Sequence, residues 1–407
     1  MPRFIFSLAL TLCTICMNAA IAGPFAIHVS SDVDRVSSPV IVDLAVPAQV
    51  SADEAKAYAA GGFVLTPGNI PVQAEVLGEK VRLYWVEPEL KAGKTKAYKI
   101  QQQEQLRTPL SFKFVDGDNY RDLLHGTTPI WRHDQLKYDS EQHVATYKHF
   151  HQVNDFHGNG FITQGNDGKQ YPHHRGLYIG WSKTVMNGTS YDTWHCSKNV
   201  ANKHKSFISN RQMTGPVVAR SASIAEWTGG DGKLIVTEKR EVTTWAVGVG
   251  AIVMDFDFTL SAGEGDVQLN GDPQHAGFQF RAHGTVGQTK AKYIYPASAK
   301  GKGGDVWADC AWVTNTFKIG DHGYAVAYLD HPQNPGTKEG QTVFSTRNYG
   351  RFGAFTQHKL AKDSPLQFHY RIIVLDADKH SDAMTAEHFD AAHAAFVKPV
   401  SVKIGPG

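Results

Sequence analysis

Short runs in which apolar and polar residues alternate dominate this chain. In its first quarter they are "SPVIVDLAVP" from Ser38, "PVQAEVLG" from Pro71 and "KVRLYWVEPELKAGKTKAYKIQ" from Lys80. Val72, Ala74 and Val76 fall at every second position, and Gly78 and Gly93 interrupt the runs where turns belong. A period of two sends successive side chains to opposite faces of a strand. Residues 23–110 are therefore expected to fold as a small β-sandwich of immunoglobulin-like size. The polar stretch "QQQEQLRTP" is the expected linker out of it.

Further strand-like runs follow, among them "GPVVARSASIAEW", "GKLIVTEKREVTTWAV", "AIVMDFDFTL", "HAGFQFRAHG", "YAVAYLD" and "FHYRIIVLDA". Connections rich in Gly and Asn separate them, and no long helical period intervenes, which argues for antiparallel pairing. Residues 111–407 are thus expected to form a large antiparallel β-sandwich. In "DAMTAEHFDAAHAAFV" the residues Phe389, Ala392 and Phe396 have helical spacing, so one C-terminal helix should pack on it. The fold class expected for the whole chain is all-β.

The N-terminus departs from this pattern. "MPRFIFSLALTLCTICMNAAIAG" has one arginine, an apolar run from Phe4 to Met17, and Ala20-Ile21-Ala22 before Gly23. Residues 1–22 have the form of a cleavable signal peptide, implying a periplasmic or secreted protein. No later run approaches the length of a membrane-spanning helix. The formal net charge of +2 gives no reason to expect nucleic acid as a partner. Cys196 and Cys310 remain after removal of Cys13 and Cys16, and form either one disulfide or two buried thiols.

Histidine is the unusual component. Ten of the 20 lie between His125 and His204, whereas Gly23 to Leu110 holds only His28, which assigns any chemistry to the large domain. In "HAGFQFRAH" the odd positions His275, Gly277, Gln279, Arg281 and His283 alternate with Ala276, Phe278, Phe280 and Ala282. The even set reads as core, and the odd set as an array of donors and acceptors with a glycine gap that admits a ligand. In "YPHHRGLYIGW" extended geometry would send His173 and Arg175 to one side and His174 to the other. In "KHFHQVNDFHGNG", His149 and His151 would share a strand face, a spacing that can chelate a divalent metal with His157 as third ligand. Composition alone also produces such pairs in a chain this rich in histidine.

Other candidates are Asp192, Trp194 and His195 in "YDTWHC", Asp330, His331 and Asn334 in "LDHPQNPG", and Arg347, Tyr349 and Arg351 in "STRNYGRFG". Trp194 and Tyr349 would offer apolar platforms beside polar groups, as sugars require. The Asp and Asn of DHPQNPG equally suit a turn that bonds its own backbone, and Glu238 and Arg240 suit a pair on an exposed strand face.

Taken together, "YKHFHQVNDFHGNGFITQG", "YPHHRGLYIGW", "YDTWHC", "QHAGFQFRAH" and "YLDHPQNPG" followed by "RNYGRFGAF" resemble the bacterial family catalogued as methane oxygenase PmoA-like, a domain of unknown function. The resemblance runs from about Phe112 to Asp376. The N-terminal domain, with "ELKAGKTKAYKI", looks like the one that often precedes it. The resemblance implies exported proteins found alongside carbohydrate-degrading systems. It brings no catalytic residues, and methane oxidation belongs to a membrane-embedded helical protein.

Large β-sandwiches, including those resembling galactose mutarotase, bind sugars on a concave polar face. The motif segments are rich in His, Arg, Asn and Tyr and poor in the paired carboxyls of standard glycosidases. The expected function is therefore an exported carbohydrate-active protein that uses His, Tyr and Arg in acid–base chemistry. A lyase or epimerase fits better than a hydrolase. The expected catalytic residues are His173, His174, Arg175, His275, Arg281 and His283. Trp194, His195, Gln279, His331, Asn334, Arg347 and Tyr349 are expected to bind substrate. The expected ligand is a small molecule or oligosaccharide. Two alternatives stand beside this one: a glycan-binding protein without catalysis, and a metal-dependent enzyme using His149, His151 and His157.

Overall fold

The computed structural model describes residues 25–46, 48–102, 110–168, 170–335 and 342–406. The signal segment at 1–22 and residues 103–109 of the expected linker lie outside the described residues. The fold is all-β and sandwich-like, with antiparallel sheets and a C-terminal helix.

The small N-terminal unit has seven strands in the order Arg35–Ala45, Lys80–Leu90, Ile70–Leu77, Phe63–Thr66, Lys94–Gln102, Phe25–Ser31, Ser401–Pro406. Alternate residues Val42, Leu44, Val81, Leu83 and Trp85 turn inward to a single core. A helix at Ala52–Ala60, which the strand pattern did not reveal, is held by a capping box between Ser51 and Glu54. The seventh strand comes from the far end of the chain, with Ser401 paired to Ser30 and Val402 to Val29. The boundary at residue 111 thus separates the two units on one side only, because residues 401–406 return to the first.

In the large unit a ten-stranded and an eight-stranded sheet face one another, with a four-stranded sheet beside them. Aromatic rings fill the space between: Phe278 lies 4.9 Å from Phe256 and 5.4 Å from Tyr370, centroid to centroid. Each such ring contributes about 2 kcal/mol or more on burial. The helix Ala386–Val397 starts at Thr385, whose side chain accepts from the His388 amide, and seats Phe389 against Trp312. No helix among the described residues is long and apolar enough to cross a membrane. The two units meet through an apolar cluster, Tyr84 against Val217, Val218, Trp245 and Val253, flanked by polar contacts. Gln73 Oε1 accepts from the amides of Val217 and Val218 at 3.2 and 3.0 Å, and Arg220 pairs with Glu75.

Candidate functional site

Strand Ala276–Arg281 in the ten-stranded sheet sends Phe278 and Phe280 into the core and Gln279 and Arg281 to the opposite face. That opposite face is also buried, since Gln279 and Arg281 are both 0% exposed. On one side Gln279 is the register partner of Tyr178; on the other, Arg281 is the partner of Arg351. Arg351 donates to Gln279 Oε1 and Ser345 Oγ, both at 3.0 Å. The expected glycine gap is not there: a Cβ on Gly277 would lie 2.3 Å from the Ala354 carbonyl oxygen. Glycine is needed at that position because a neighbouring strand approaches, not to admit a ligand.

Two loops cover this face. The stretch Tyr171–Gly176 is a turn rather than a strand, closed by the His174 amide donating to the Tyr171 carbonyl at 2.9 Å. Left-handed backbone at Tyr171 and Gly176 completes it, and a Cβ on Gly176 would come within 2.0 Å of the His151 carbonyl oxygen. The alternation expected for a strand therefore fails. His173 and His174 lie together, with ring centroids 4.2 Å apart, while Arg175 points away. The Arg175 side chain donates to the carbonyls of Pro172 (2.9 Å), Ala145 (3.1 Å) and Val144 and stacks over Tyr147, so it clamps backbone and is not part of the site.

The second loop is built on Asp192, whose carboxylate accepts from the Trp194 and His195 amides and from His195 Nδ1 at 2.8 Å. The same D-x-x-H spacing recurs at Asp272 and His275, where Nδ1 lies 2.9 Å from the carboxylate. Burial alone would raise both carboxyls, but hydrogen bonds from the histidines and from backbone amides, with the charge of Arg351 at Asp272, outweigh it and hold each below the usual value. An acceptor at Nδ1 fixes the tautomer and leaves Nε2 as the basic nitrogen. The two dyads are neighbours, with His195 and His275 centroids 5.4 Å apart and His195 4.4 Å from His173. Their side chains are about a third exposed, at 37% and 32%, so solvent reaches this rim.

Inward of the rim the groups are buried and unpartnered. His174 Nδ1 and Nε2, Tyr178 Oη, Trp194 Nε1, Arg281 Nε and Nη2, and Arg351 Nε have no hydrogen-bond partner among the described residues. Buried polar atoms are rarely left so, and each costs about 1–3 kcal/mol. Seven at one place form a donor-rich cluster that a ligand or ordered water would satisfy. Burial, then His173 and the cations Arg351, Arg281 and Lys148, hold His174 well below its ordinary pKa. Burial and the nearby Lys148 take His173 down to about 3. Both are neutral donor–acceptors near pH 7. Tyr349 stacks on His174 and under the Arg281 guanidinium, whose Nη1 bonds the Tyr349 carbonyl. Trp194 is fully buried and offers an N–H rather than a platform.

Sequence reasoning missed Lys148, Tyr178 and Asp272. Lys148 ties the two loops together by donating to the carbonyls of Trp194 (2.6 Å) and His173 (3.4 Å), and burial lowers its ammonium to about 8. Alternation from Gly176 could have placed Tyr178 opposite Leu177 and Ile179, and the repeated D-x-x-H could have found Asp272.

Four other expected residues lie elsewhere. His283 follows the end of its strand and bonds Thr285 Oγ1 at 2.9 Å. His331 packs on Phe396 of the C-terminal helix, and Asn334 bonds Asp330 and the His369 backbone, so residues 330–335 make a structural turn, Gly336 lying outside the described residues. Arg347 bonds the carbonyls of Thr346 and Gly304, clamping a loop.

The expected metal set also separates. His149 and His151 share a face, but it is the inner one, between the sheets. His157 is remote, stacked on His322 at 3.7 Å and 3.4 Å from Asp376. In its place His133 and His204 join His149, their candidate ligand atoms all within 4.8 Å. Arg240 stands among these rings, donating to His151 Nδ1 at 3.2 Å and His149 Nε2 at 3.3 Å, and pairs with buried Glu238 at 2.7 Å. A guanidinium there uses lone pairs that a cation would need. Glu238 and Arg240 are thus an interior pair, not an exposed one. Cys196 and Cys310 are free, buried thiols.

No curated protein matches this chain in sequence. The family profile that matches, over residues 121–390, is that of a family of unknown function, DUF6807, and nothing points to the PmoA-like family, so that resemblance is corrected. The matched span contains every residue of the site described above and more than half the chain. The chain therefore belongs to the DUF6807 family.

Proposed function

We propose that this protein is an exported enzyme that performs acid–base chemistry on hydroxylated small molecules, carbohydrate fragments foremost, at the site between the Tyr171–Gly176 turn and the Asp192–His195 loop. The observation that carries the reading is the pair of D-x-x-H dyads at the rim of a buried, unpartnered donor set. A histidine whose Nδ1 is held by a carboxylate is suited to take a proton at Nε2, and fixed N–H groups suit the oxygen on which negative charge then develops. His195 or His275 would remove a proton from carbon, and Arg281 with Tyr178 would receive the enolate-like oxygen. Return of the proton gives an epimer; loss of a leaving group gives an unsaturated product. Export rests on the apolar segment of residues 1–22.

The test is incubation of the full chain with oligosaccharide mixtures in D2O, followed by NMR. Deuterium at a carbon next to a carbonyl, or a new vinyl signal, supports the reading. His195→Gln and His275→Gln should abolish one or both signals. Binding without either signal in the parent would favour the glycan-binding alternative.

A further inference from the structure

Arg281 and Arg351 are direct register partners on adjacent antiparallel strands, 0% and 1% exposed, and among the described residues they bond the Tyr349 carbonyl, Gln279 and Ser345 but no carboxylate. Like charges placed opposite one another across a sheet repel, and a desolvated cation without a counter-ion is costly. Lys148 adds a third buried cation nearby. The two acids at the rim, Asp192 and Asp272, are committed to His195 and His275. Asp272 feels the charge of Arg351 and Asp192 that of Lys148, but among the described residues no carboxylate is in contact with Arg281 or Arg351.

The geometry of the free atoms is specific. Arg281 leaves Nε and Nη2 unpartnered, the two donors on one edge of the guanidinium. Elsewhere in this chain that same edge holds a carboxylate in two-point contact. Arg82 grips Asp43 at 2.6 and 2.9 Å, Arg132 grips Asp122 at 2.7 and 2.9 Å, and Arg371 grips Asp255 at 2.6 and 2.9 Å. Fork-to-fork pairing of this kind is the preferred match between guanidinium and carboxylate.

We propose that the pocket takes a carboxylate-bearing ligand, a sugar acid rather than a neutral sugar, with the carboxylate on the Nε–Nη2 edge of Arg281 and Arg351 beside it. This deepens the function proposed above and rests on the same pocket being the functional site. A carboxylate there would also sit next to the carbon acid that His195 or His275 deprotonates, so Arg281 would bind the group whose charge grows as the proton leaves.

The experiment measures the melting temperature of the full chain at constant ionic strength with acetate, D-glucuronate, D-galacturonate, the uncharged D-glucose and D-galactose, and glucose 6-sulfate and 6-phosphate. Both uronates should raise it above the chloride control, with the uncharged sugars and the two esters weaker. For the better uronate, calorimetry should show affinity falling by about tenfold or more in Arg281→Lys and further in Arg281→Gln, the size expected for charged hydrogen bonds. If Arg281→Gln does not fold by circular dichroism, Arg351→Gln takes its place. Equal shifts by neutral sugars, shifts by the esters alone, no shift by any carboxylate, or affinity unchanged in the arginine variants would each overturn the proposal. Turnover is read separately, by the deuterium-exchange experiment on the same chain. Uronate binding without turnover leaves this inference standing and removes the acid–base reading, while turnover of neutral sugars with no uronate effect does the reverse.

Discussion

The Nδ1 of His195 lies 2.8 Å from the Asp192 carboxylate, which also accepts the His195 backbone amide. One side chain therefore sets both the ring tautomer and the loop that carries it. Asp192→Asn would offer the ring an N–H or a carbonyl in place of a carboxylate and lose the electrostatic support of imidazolium. Turnover should fall by about 100-fold, with uronate affinity nearly retained. Steady-state kinetics beside calorimetry check this, and loss of affinity alone would show that Asp192 only shapes the loop.

Acid should unfold the protein early. Burial, reinforced by neighbouring cations and rings, lowers His133, His149 and His151, and takes His204 and His173 to about 3. The unfolded chain binds protons at these sites from about pH 6.5 downward while the folded chain does not. Stability is therefore full above pH 6.5 and lost as pH falls toward 3, by about 1.4 kcal/mol per pH unit for each such histidine. Asp330, raised by burial to about 7, and Asp134, raised to about 6, act in the opposite sense over this range, since they take up protons in the folded state first. The histidines outnumber them. Urea unfolding at pH 7, 6 and 5 should show a steady decline, and Asp330→Asn should steepen it. A flat profile would contradict neutral burial.

Removing Glu238 should be far worse than removing its pair. Glu238 and Arg240 are both buried, and Trp227 Nε1 donates to Glu238 at 2.9 Å. Glu238→Gln leaves the guanidinium uncompensated among imidazoles and should cost about 3–5 kcal/mol. Glu238→Leu combined with Arg240→Met should recover most of the loss. Denaturant midpoints of the single and double variants provide the measurement. Equal losses in both would mean that the imidazoles, not the carboxylate, hold Arg240.

The two thiols should be silent. Burial pushes Cys196 up to about 11 and Cys310 up to about 12, and they are unpaired. The chain without residues 1–22, and so without Cys13 and Cys16, should give no reaction with a thiol reagent and the same melting temperature with and without reductant. Unfolding in urea should then expose two reactive groups. A reductant-dependent melting temperature would indicate a disulfide instead.

Local periodicity carried the sequence reading where structure is local. Alternation assigned Phe278, Phe280, Gln279 and Arg281 to their faces, because strand Ala276–Arg281 spans them. It failed at His283, beyond that strand, and at residues 171–176, where the chain turns and both histidines face one way. His149 and His151 were placed on one face, yet only packing of distant strands decides that this face is internal and that His133, His204 and Arg240 meet there. Arg281 opposite Arg351 is likewise a matter of register across 70 residues of sequence, which no spacing rule supplies. The return of Ser401–Pro406 to the first strand was hidden for the same reason.

That returning strand governs how the molecule would respond to force. Phe25 is the register partner of Pro406 and Ser30 of Ser401, so both described ends leave the sheet from the same end of one antiparallel ladder. Tension applied to the two ends would load its rungs singly, Phe25 with Pro406 first, instead of shearing all of them at once. The terminal pair should therefore peel open like a zipper at low force while the sandwich that holds the pocket stays closed. Conversely, a short peptide joining the ends would turn the chain into a ring without moving a strand.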